Sequence, residues 1–158
     1  MQHLLAEQTG IQARAGSGPL PQAFVTPPLD EFETLILWGM RQWMRAHKER
    51  RCATGSVLDA FEFSGLVSAL APLNRMMTLL LLGSRRRLAI ATTTTAPLSI
   101  DEQVLLRMLN AARQHQTDLV ESRLGLWMEQ VSIQATAHSA MLLTQAVFAP
   151  VGRPARGA

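Results

Sequence analysis

The sequence predicts an all-α fold, a single-domain bundle of about five helices around a central kinked apolar helical segment, with one extended connector. Two observations carry this prediction. Apolar residues recur at three- and four-residue steps in several long segments, which is the period of an amphipathic helix. The stretch 64–84 is the most apolar in the chain, and Pro72 interrupts it. We therefore expect this stretch to form a kinked core element that the other helices cover.

Five helices are expected, at about residues 29–51, 57–70, 72–82, 99–116 and 119–148. The first helix carries acidic residues in its first turns and basic residues in its C-terminal half, which complements the helix dipole at both ends. Ser99 and Glu102 have the spacing of a capping box, so the fourth helix should begin directly after Ser99. Gly125 is expected to bend the last helix without ending it.

Two connections are predicted between these helices. Residues 52–56 should form a turn in which Ser56 caps the next helix. The segment Leu88–Thr95 is rich in β-branched residues and should be extended. Three environments fit an extended segment here: the protein surface, pairing with the same segment of a second subunit, or pairing with residues 20–26.

The chain of 158 residues divides into a flexible N-terminal arm (1–28), a helical domain (29–148) and a disordered tail (149–158), because prolines and glycines concentrate near both ends. An apolar fraction of 47% and a charged fraction of 17% are typical of a globular protein. Cys52 is the single cysteine, which excludes an internal disulfide and fits a reducing compartment. No secretory signal is evident, so a cytoplasmic location is expected.

The apolar stretch could also be long enough to cross a membrane. Its leucines favour insertion, but Arg75 alone opposes it by roughly 2.5–3.5 kcal/mol at a helix centre. Asn74 and Pro72 lie beside that arginine and weaken the case further. We therefore predict a buried helical segment and no membrane span.

No catalytic, cofactor-binding or metal-binding set of residues is recognisable, so we predict no enzyme activity and no cofactor. His3, His47, His115 and His138 stand in no metal-ligand spacing, and His138 is expected on the apolar side of the last helix. Cys52 follows two arginines, but its expected place at a helix C-terminus disfavours a thiolate.

The basic residues form the most suggestive pattern. The net charge is +3, and the basic residues form two groups. The first lies along one stripe of the first helix and just past its end: Arg41, Arg45 and Lys48, then Arg50 and Arg51. The second is the contiguous triplet Arg85, Arg86 and Arg87, and the residues expected to form the binding surface are Arg41, Arg45 and this triplet. If the fold brings the two groups together, they predict an anion-binding or nucleic-acid-binding surface. If the groups stay apart, the arginines need no binding role, because basic residues near helix C-termini complement the helix dipole and charged surface residues keep a protein soluble.

An acidic-start helix is followed by F-x-F-S-G at 61–65, the arginine triplet, a threonine stretch and S-I-D-E-Q-x-L-L at 99–106. This order of motifs resembles a group of small uncharacterised bacterial helical proteins, over about residues 29–148. The shared motifs are structural. The resemblance implies a helical fold and bacterial relatives, and it implies no activity.

We expect a non-enzymatic helical interaction or regulatory protein that forms a homodimer, because eight methionines and three tryptophans offer adaptable apolar surface. Its partners would be a second copy of the chain or another protein. The alternative is a nucleic-acid or anion-binding regulator that uses the clustered arginines. A third alternative is a binder of apolar small molecules, with its pocket between helices.

Overall fold

The computed structural model describes residues 28–149, and these residues form an all-α bundle, as the sequence predicts. Most of the predicted arm and tail lie outside the described residues. The helices are α1 (Glu31–Lys48), α2 (Ala53–Phe63), α3 (Leu70–Gly83), α4 (Ile100–Arg113), α5 (Thr117–Leu124) and α6 (Gln130–Phe148), with a 3-10 turn at Val67–Ala69. No β-strand forms between residues 28 and 149, where the extended pairing is limited to a single bridge between Ser84 and Met128.

The starts of α1 and α4 follow from their capping residues. Asp30 accepts a hydrogen bond from the backbone N–H of Glu33 at 2.7 Å, and the Glu33 carboxylate accepts one from the Asp30 N–H in return. Ser99 and Glu102 form the same reciprocal pair at the start of α4, which confirms the capping box predicted there.

The apolar stretch is divided at a different place from the one predicted. The helix expected at 57–70 is α2, which begins four residues earlier and ends at Phe63. The cap predicted at Ser56 is wrong, because Cys52 is the N-cap and Ser56 lies inside the first turn of α2. Gly65 follows with a φ of +70°, a left-handed conformation that glycine adopts without strain. Pro72 lies in the first turn of α3, where proline is tolerated, so the interruption falls at residues 64–66 and not at Pro72. Arg75 is exposed and needs no buried partner.

The single last helix predicted at 119–148 is wrong, because the chain leaves the helix between α5 and α6 to pair with the end of α3. The Trp127 carbonyl accepts the Arg85 N–H at 2.7 Å, and the Gly83 carbonyl accepts the Glu129 N–H at 2.9 Å. The two segments approach closely at Gly83, where an added Cβ would lie 2.6 Å from Cβ of Ser132. Gly125 is the C-cap of α5, so the expectation that it bends the last helix without ending it is wrong, and the contact with the end of α3 follows directly after this break.

The core is formed by apolar faces from all six helices. Five methionines are fully buried within it: Met40, Met76, Met77, Met108 and Met128. Trp43 is also buried and donates its indole N–H to Oδ1 of Asn74 at 2.9 Å. These side chains therefore fill the interior and do not supply the adaptable surface from which a homodimer was expected.

Candidate anion-binding site

Arg41 is buried, with 2% of its surface exposed, and its guanidinium forms a two-point ion pair with Glu102. Nε of Arg41 lies 2.8 Å from Oε1, and Nη2 lies 2.8 Å from Oε2. Its remaining N–H groups donate to backbone carbonyls of the connector, at 3.0 Å for both Thr94 and Ala96. Arg41 thus joins α1, the connector and α4. It does not belong to an exposed anion-binding surface.

Glu102 is saturated with hydrogen-bond donors. In addition to Arg41, its carboxylate accepts the backbone N–H of Ser99 at 2.9 Å and that of Ala91 at 3.1 Å. Burial by itself would raise the pKa of Glu102, but the hydrogen bonds from Arg41, Ser99 and Ala91 outweigh burial and hold this pKa below its usual range. The carboxylate therefore stays ionised inside the protein.

Asp101, the residue before Glu102, binds Arg86 of the arginine triplet in the same way. Its two oxygens accept from Nη1 and Nη2 of Arg86 at 2.9 and 2.7 Å, and Oδ2 also accepts the Ala89 N–H at 2.6 Å. The Arg86 hydrogen bonds, supported by the Ala89 N–H, lower the pKa of Asp101, and the same pair raises the pKa of Arg86. One side of the connector is thereby fixed to the first turn of α4.

These contacts explain how much of the connector's backbone is satisfied without a partner strand. The prediction that Leu88–Thr95 is extended is wrong for its second half, because residues 92–96 form bends and a turn whose carbonyls converge on Arg41. Carboxylates of α4 accept the N–H groups of Ala89 and Ala91, and Arg41 donates to four carbonyls: Thr93, Thr94, Ala96 and Pro97. Within residues 28–149 the connector runs over the surface of its own chain, and its pairing with a second subunit stays a prediction. The suggested partner segment 20–26 lies outside the described residues.

A groove with a volume of about 690 Å³ lies where the C-terminal ends of α1 and α3 meet the start of the connector. Six basic side chains line it: His47, Lys48, Arg50, Arg85, Arg86 and Arg87. Among residues 28–149, none of those that line the groove carries a carboxylate. The two basic groups identified in the sequence therefore meet here only in part: Lys48 and Arg50 of the first group and the whole triplet line the groove, whereas Arg41 and Arg45 do not.

Some of this positive charge is already neutralised. Arg85 pairs with Glu129 at 3.2 Å and Arg86 with Asp101, whereas Lys48, Arg50 and Arg87 make no ion pair with any residue between 28 and 149. Each helix C-terminus contributes roughly half a negative charge. With two such ends and two carboxylates set against five cations, a net charge of about +2 remains at the groove.

Arg45, the other predicted member on α1, faces away from the groove lining. Its Nε donates to Glu49 at 3.0 Å across one exposed helical turn. The hydrogen bonds from Arg45 and then Arg51 lower the pKa of Glu49. Arg45 therefore belongs to a surface ion-pair cluster, while Arg85, Arg86 and Arg87 of the predicted set line the groove.

Arg50 lines the groove because of the backbone turn that ends α1. It follows the C-cap residue Glu49 and adopts a left-handed conformation, with φ at 54°, while the next N–H, from Arg51, donates to the Ala46 carbonyl at 2.8 Å. Glycine normally occupies this position, because other residues are strained there. Nothing in the sequence around residue 50 signals the left-handed turn, so only the structure identifies Arg50 as a rim residue.

Other candidate residues carry no comparable site. Cys52 is the N-cap of α2 and accepts the Gly55 N–H at 3.3 Å, so its expected place at a helix C-terminus is wrong. His138 is exposed and not in the core. Between residues 28 and 149, no cluster of three or more potential metal ligands forms.

Comparisons with protein-family models, with curated proteins and with solved structures found no match to this chain. Within the described part of the chain, no helix is both long enough and apolar enough to cross a bilayer.

Proposed function

We propose that the protein acts as a binding protein and that its groove takes a ligand bearing phosphate or another compact anionic group. The observation that carries the proposal is the convergence of five cations and His47 on one groove without a carboxylate in its lining. Three of those cations have no ion-pair partner among residues 28–149. Regulation or assembly through such a ligand fits the interaction role expected from the sequence.

The chemistry of the groove suits phosphate. Arginine presents a planar fork that donates to two oxygens at once, and lysine adds a compact charge. Asp101 fixes Arg86, so part of the groove is ordered before any ligand arrives. A preformed site binds with less loss of conformational freedom than one that must order on binding.

Calorimetric titration with pyrophosphate and tripolyphosphate at low salt tests the proposal. We expect saturable binding that weakens as salt is added, since exposed charges are screened over about 10 Å at 0.1 M salt. Arg87→Ala and Lys48→Ala should each weaken binding by about tenfold, the effect of losing one charge-assisted hydrogen bond. Arg107→Ala is the matched control, because Arg107 is exposed and outside the groove lining.

Absence of binding by any of these anions, or equal loss in Arg87→Ala and Arg107→Ala, would contradict the proposal. Nucleic acid is one possible source of the phosphates. Gel retardation with single- and double-stranded oligonucleotides tests that alternative, which predicts a salt-dependent shift that Arg87→Ala removes.

A second candidate function, self-association, is favoured by two exposed apolar residues on either side of the Gly65 turn. Phe63 is 95% exposed and Val67 is 51% exposed, so a large aromatic ring and an aliphatic side chain both face water in this part of the chain. Light scattering tests this candidate. We expect a discrete dimer that Phe63→Ser converts to a monomer, whereas a monomer at all concentrations would contradict it.

A further inference from the structure

The floor of the groove is apolar although its rim is basic. Four apolar side chains contribute to the lining: Met44, Leu80, Leu81 and Leu88. Met44 and Leu80 belong to the buried core, while Leu81 and Leu88 are only half-buried and face the open space of the groove. The volume of about 690 Å³ is in the range of small-molecule sites, which are roughly 300–1,000 Å³.

Neither a purely polar nor a purely apolar ligand matches this lining. A free phosphate would satisfy the cations and leave Leu81 and Leu88 in contact with water. A neutral hydrocarbon would cover the leucines and leave the cations of the rim, Lys48, Arg50 and Arg87 among them, without an anion. A ligand that carries both parts satisfies both sets of residues, because apolar burial and charge pairing then add to the affinity.

We propose that the ligand of the groove is an anionic amphiphile, a molecule with a phosphate-type head group and a hydrocarbon chain. This inference rests on the proposed function, because the head group would occupy the cationic rim. A phosphate monoester carries between about −1.5 and −2 charges at neutral pH, which matches the net charge of about +2 at the groove. The hydrocarbon chain would lie against Leu81 and Leu88.

The groove is less suited to the other phosphate-bearing class considered, single-stranded nucleic acids. Single-stranded nucleic acids gain affinity from stacking on aromatic side chains, and none of the lining residues is Trp or Phe. The one ring in the lining, His47, already stacks on Trp43 with 5.3 Å between centroids. The nonpolar part of the lining is aliphatic, which is the surface that an alkyl chain matches.

A series of alkyl phosphates below their micelle concentrations tests the proposal by calorimetry. Affinity should rise about fourfold for each methylene group that enters the groove, since burying one such group is worth about 0.8 kcal/mol. Leu81→Gln should flatten this dependence and leave the affinity for inorganic phosphate unchanged. Leu82→Gln is the matched control: it is the next residue on α3, is 81% exposed and does not line the groove.

Two further experiments distinguish a membrane lipid from a free amphiphile as the ligand. Phosphatidylcholine vesicles with and without phosphatidic acid report a membrane source through cosedimentation, and the monomeric alkyl phosphates report a free one. Binding in either arm supports the shared chemistry if Leu81→Gln and Arg87→Ala both weaken it. Neutral alkyl glycosides of the same chain lengths should not bind.

The outcomes separate this inference from the proposed function. Binding of pyrophosphate or oligonucleotides together with alkyl phosphate affinity that is independent of chain length would overturn the amphiphile and leave anion binding standing. Equal chain-length dependence in Leu81→Gln and the parent protein would also overturn it. If no anion binds at all, both proposals fail.

Discussion

Arg41 of α1 and Glu102 of α4 meet through two N–O contacts of 2.8 Å each in the interior of the protein. The pair lies 61 residues apart in sequence and is surrounded by backbone groups of the connector that both side chains also bind. A charge-assisted pair of this kind holds two helices and one irregular segment in a single arrangement. The position of the arginine triplet at the groove therefore depends on residues that do not line it.

Glu102→Gln should destabilise the protein by about 3–5 kcal/mol, because it leaves the buried Arg41 charge without a counter-ion. The amide nitrogen of glutamine would also face the Arg41 guanidinium, donor against donor. Urea denaturation measures the change. Glu129→Gln, which breaks the exposed pair with Arg85, is the matched control and should cost far less. An equal loss of unfolding free energy in the two variants would show that the Arg41–Glu102 pair is not the stabilising contact.

The free energy of unfolding should fall as the pH is lowered below about 4, the ordinary range for carboxylates in an unfolded chain. The pKa values of Asp101 and Glu102 are lowered in the folded protein, so the unfolded chain takes up protons first as the pH falls. The stability from these groups is complete above that range and is lost as the pH passes through their lowered folded pKa values.

Urea midpoints between neutral and strongly acidic pH test this dependence. An Asp101→Asn variant should lose less stability on acidification than the parent protein, since one of the titrating groups is absent. A parent protein whose midpoint is unchanged in acid would contradict the expectation.

Arg50→Gly and His115→Gly should each stabilise the protein by about 1 kcal/mol, because both residues hold a left-handed backbone, with φ at 54° and 57°. They differ in their position, since Arg50 lines the basic groove and His115 does not. Arg50→Gly should therefore weaken pyrophosphate binding, while His115→Gly should leave it unchanged. Thermal unfolding and calorimetry together give both quantities, and undiminished binding by Arg50→Gly would remove this residue from the site.

Gly83→Ala should destabilise the protein by roughly 1–3 kcal/mol through overpacking. Its Cβ would lie 2.6 Å from Cβ of Ser132 and 2.8 Å from Cε of Met128, so α3 and α6 would have to separate. Gly125→Ala is the control, because its Cβ would meet its nearest neighbours at 3.4 Å, an ordinary contact, and its φ is −59°. Denaturation curves that coincide for the two variants would contradict the close contact of α3 and α6 at Gly83.

The capping box at Ser99 and Glu102 predicted the start of α4 correctly, and the period of apolar residues predicted α1. The N-cap role of Asp30 was not predicted, and the cap predicted at Ser56 is wrong because Cys52 caps α2. The break between α5 and α6 was not predicted, because the segment that follows it contacts backbone groups of Gly83 and Arg85, which are distant in sequence.

The candidate anion-binding site was predicted only in part, because contacts between residues distant in sequence also determine it. The triplet Arg85–Arg87 does line a groove with the end of α1. Arg41 was misassigned because its partner Glu102 is 61 residues away, and a sequence pattern gives no sign of such a pair. Arg50 was grouped with the basic residues of α1, but its place on the rim depends on the left-handed turn, which no sequence pattern indicates.

In the threonine stretch, the position of the backbone does not depend on which side chains it carries. Arg41 holds this part of the connector through the carbonyls of Thr93 and Thr94, and both residues are exposed. Backbone carbonyls are present whatever the side chain, so the fold places little constraint on which residues stand here. A fluorescent or spin label attached at position 94 would report from a fixed point on the surface without altering the contact that fixes it.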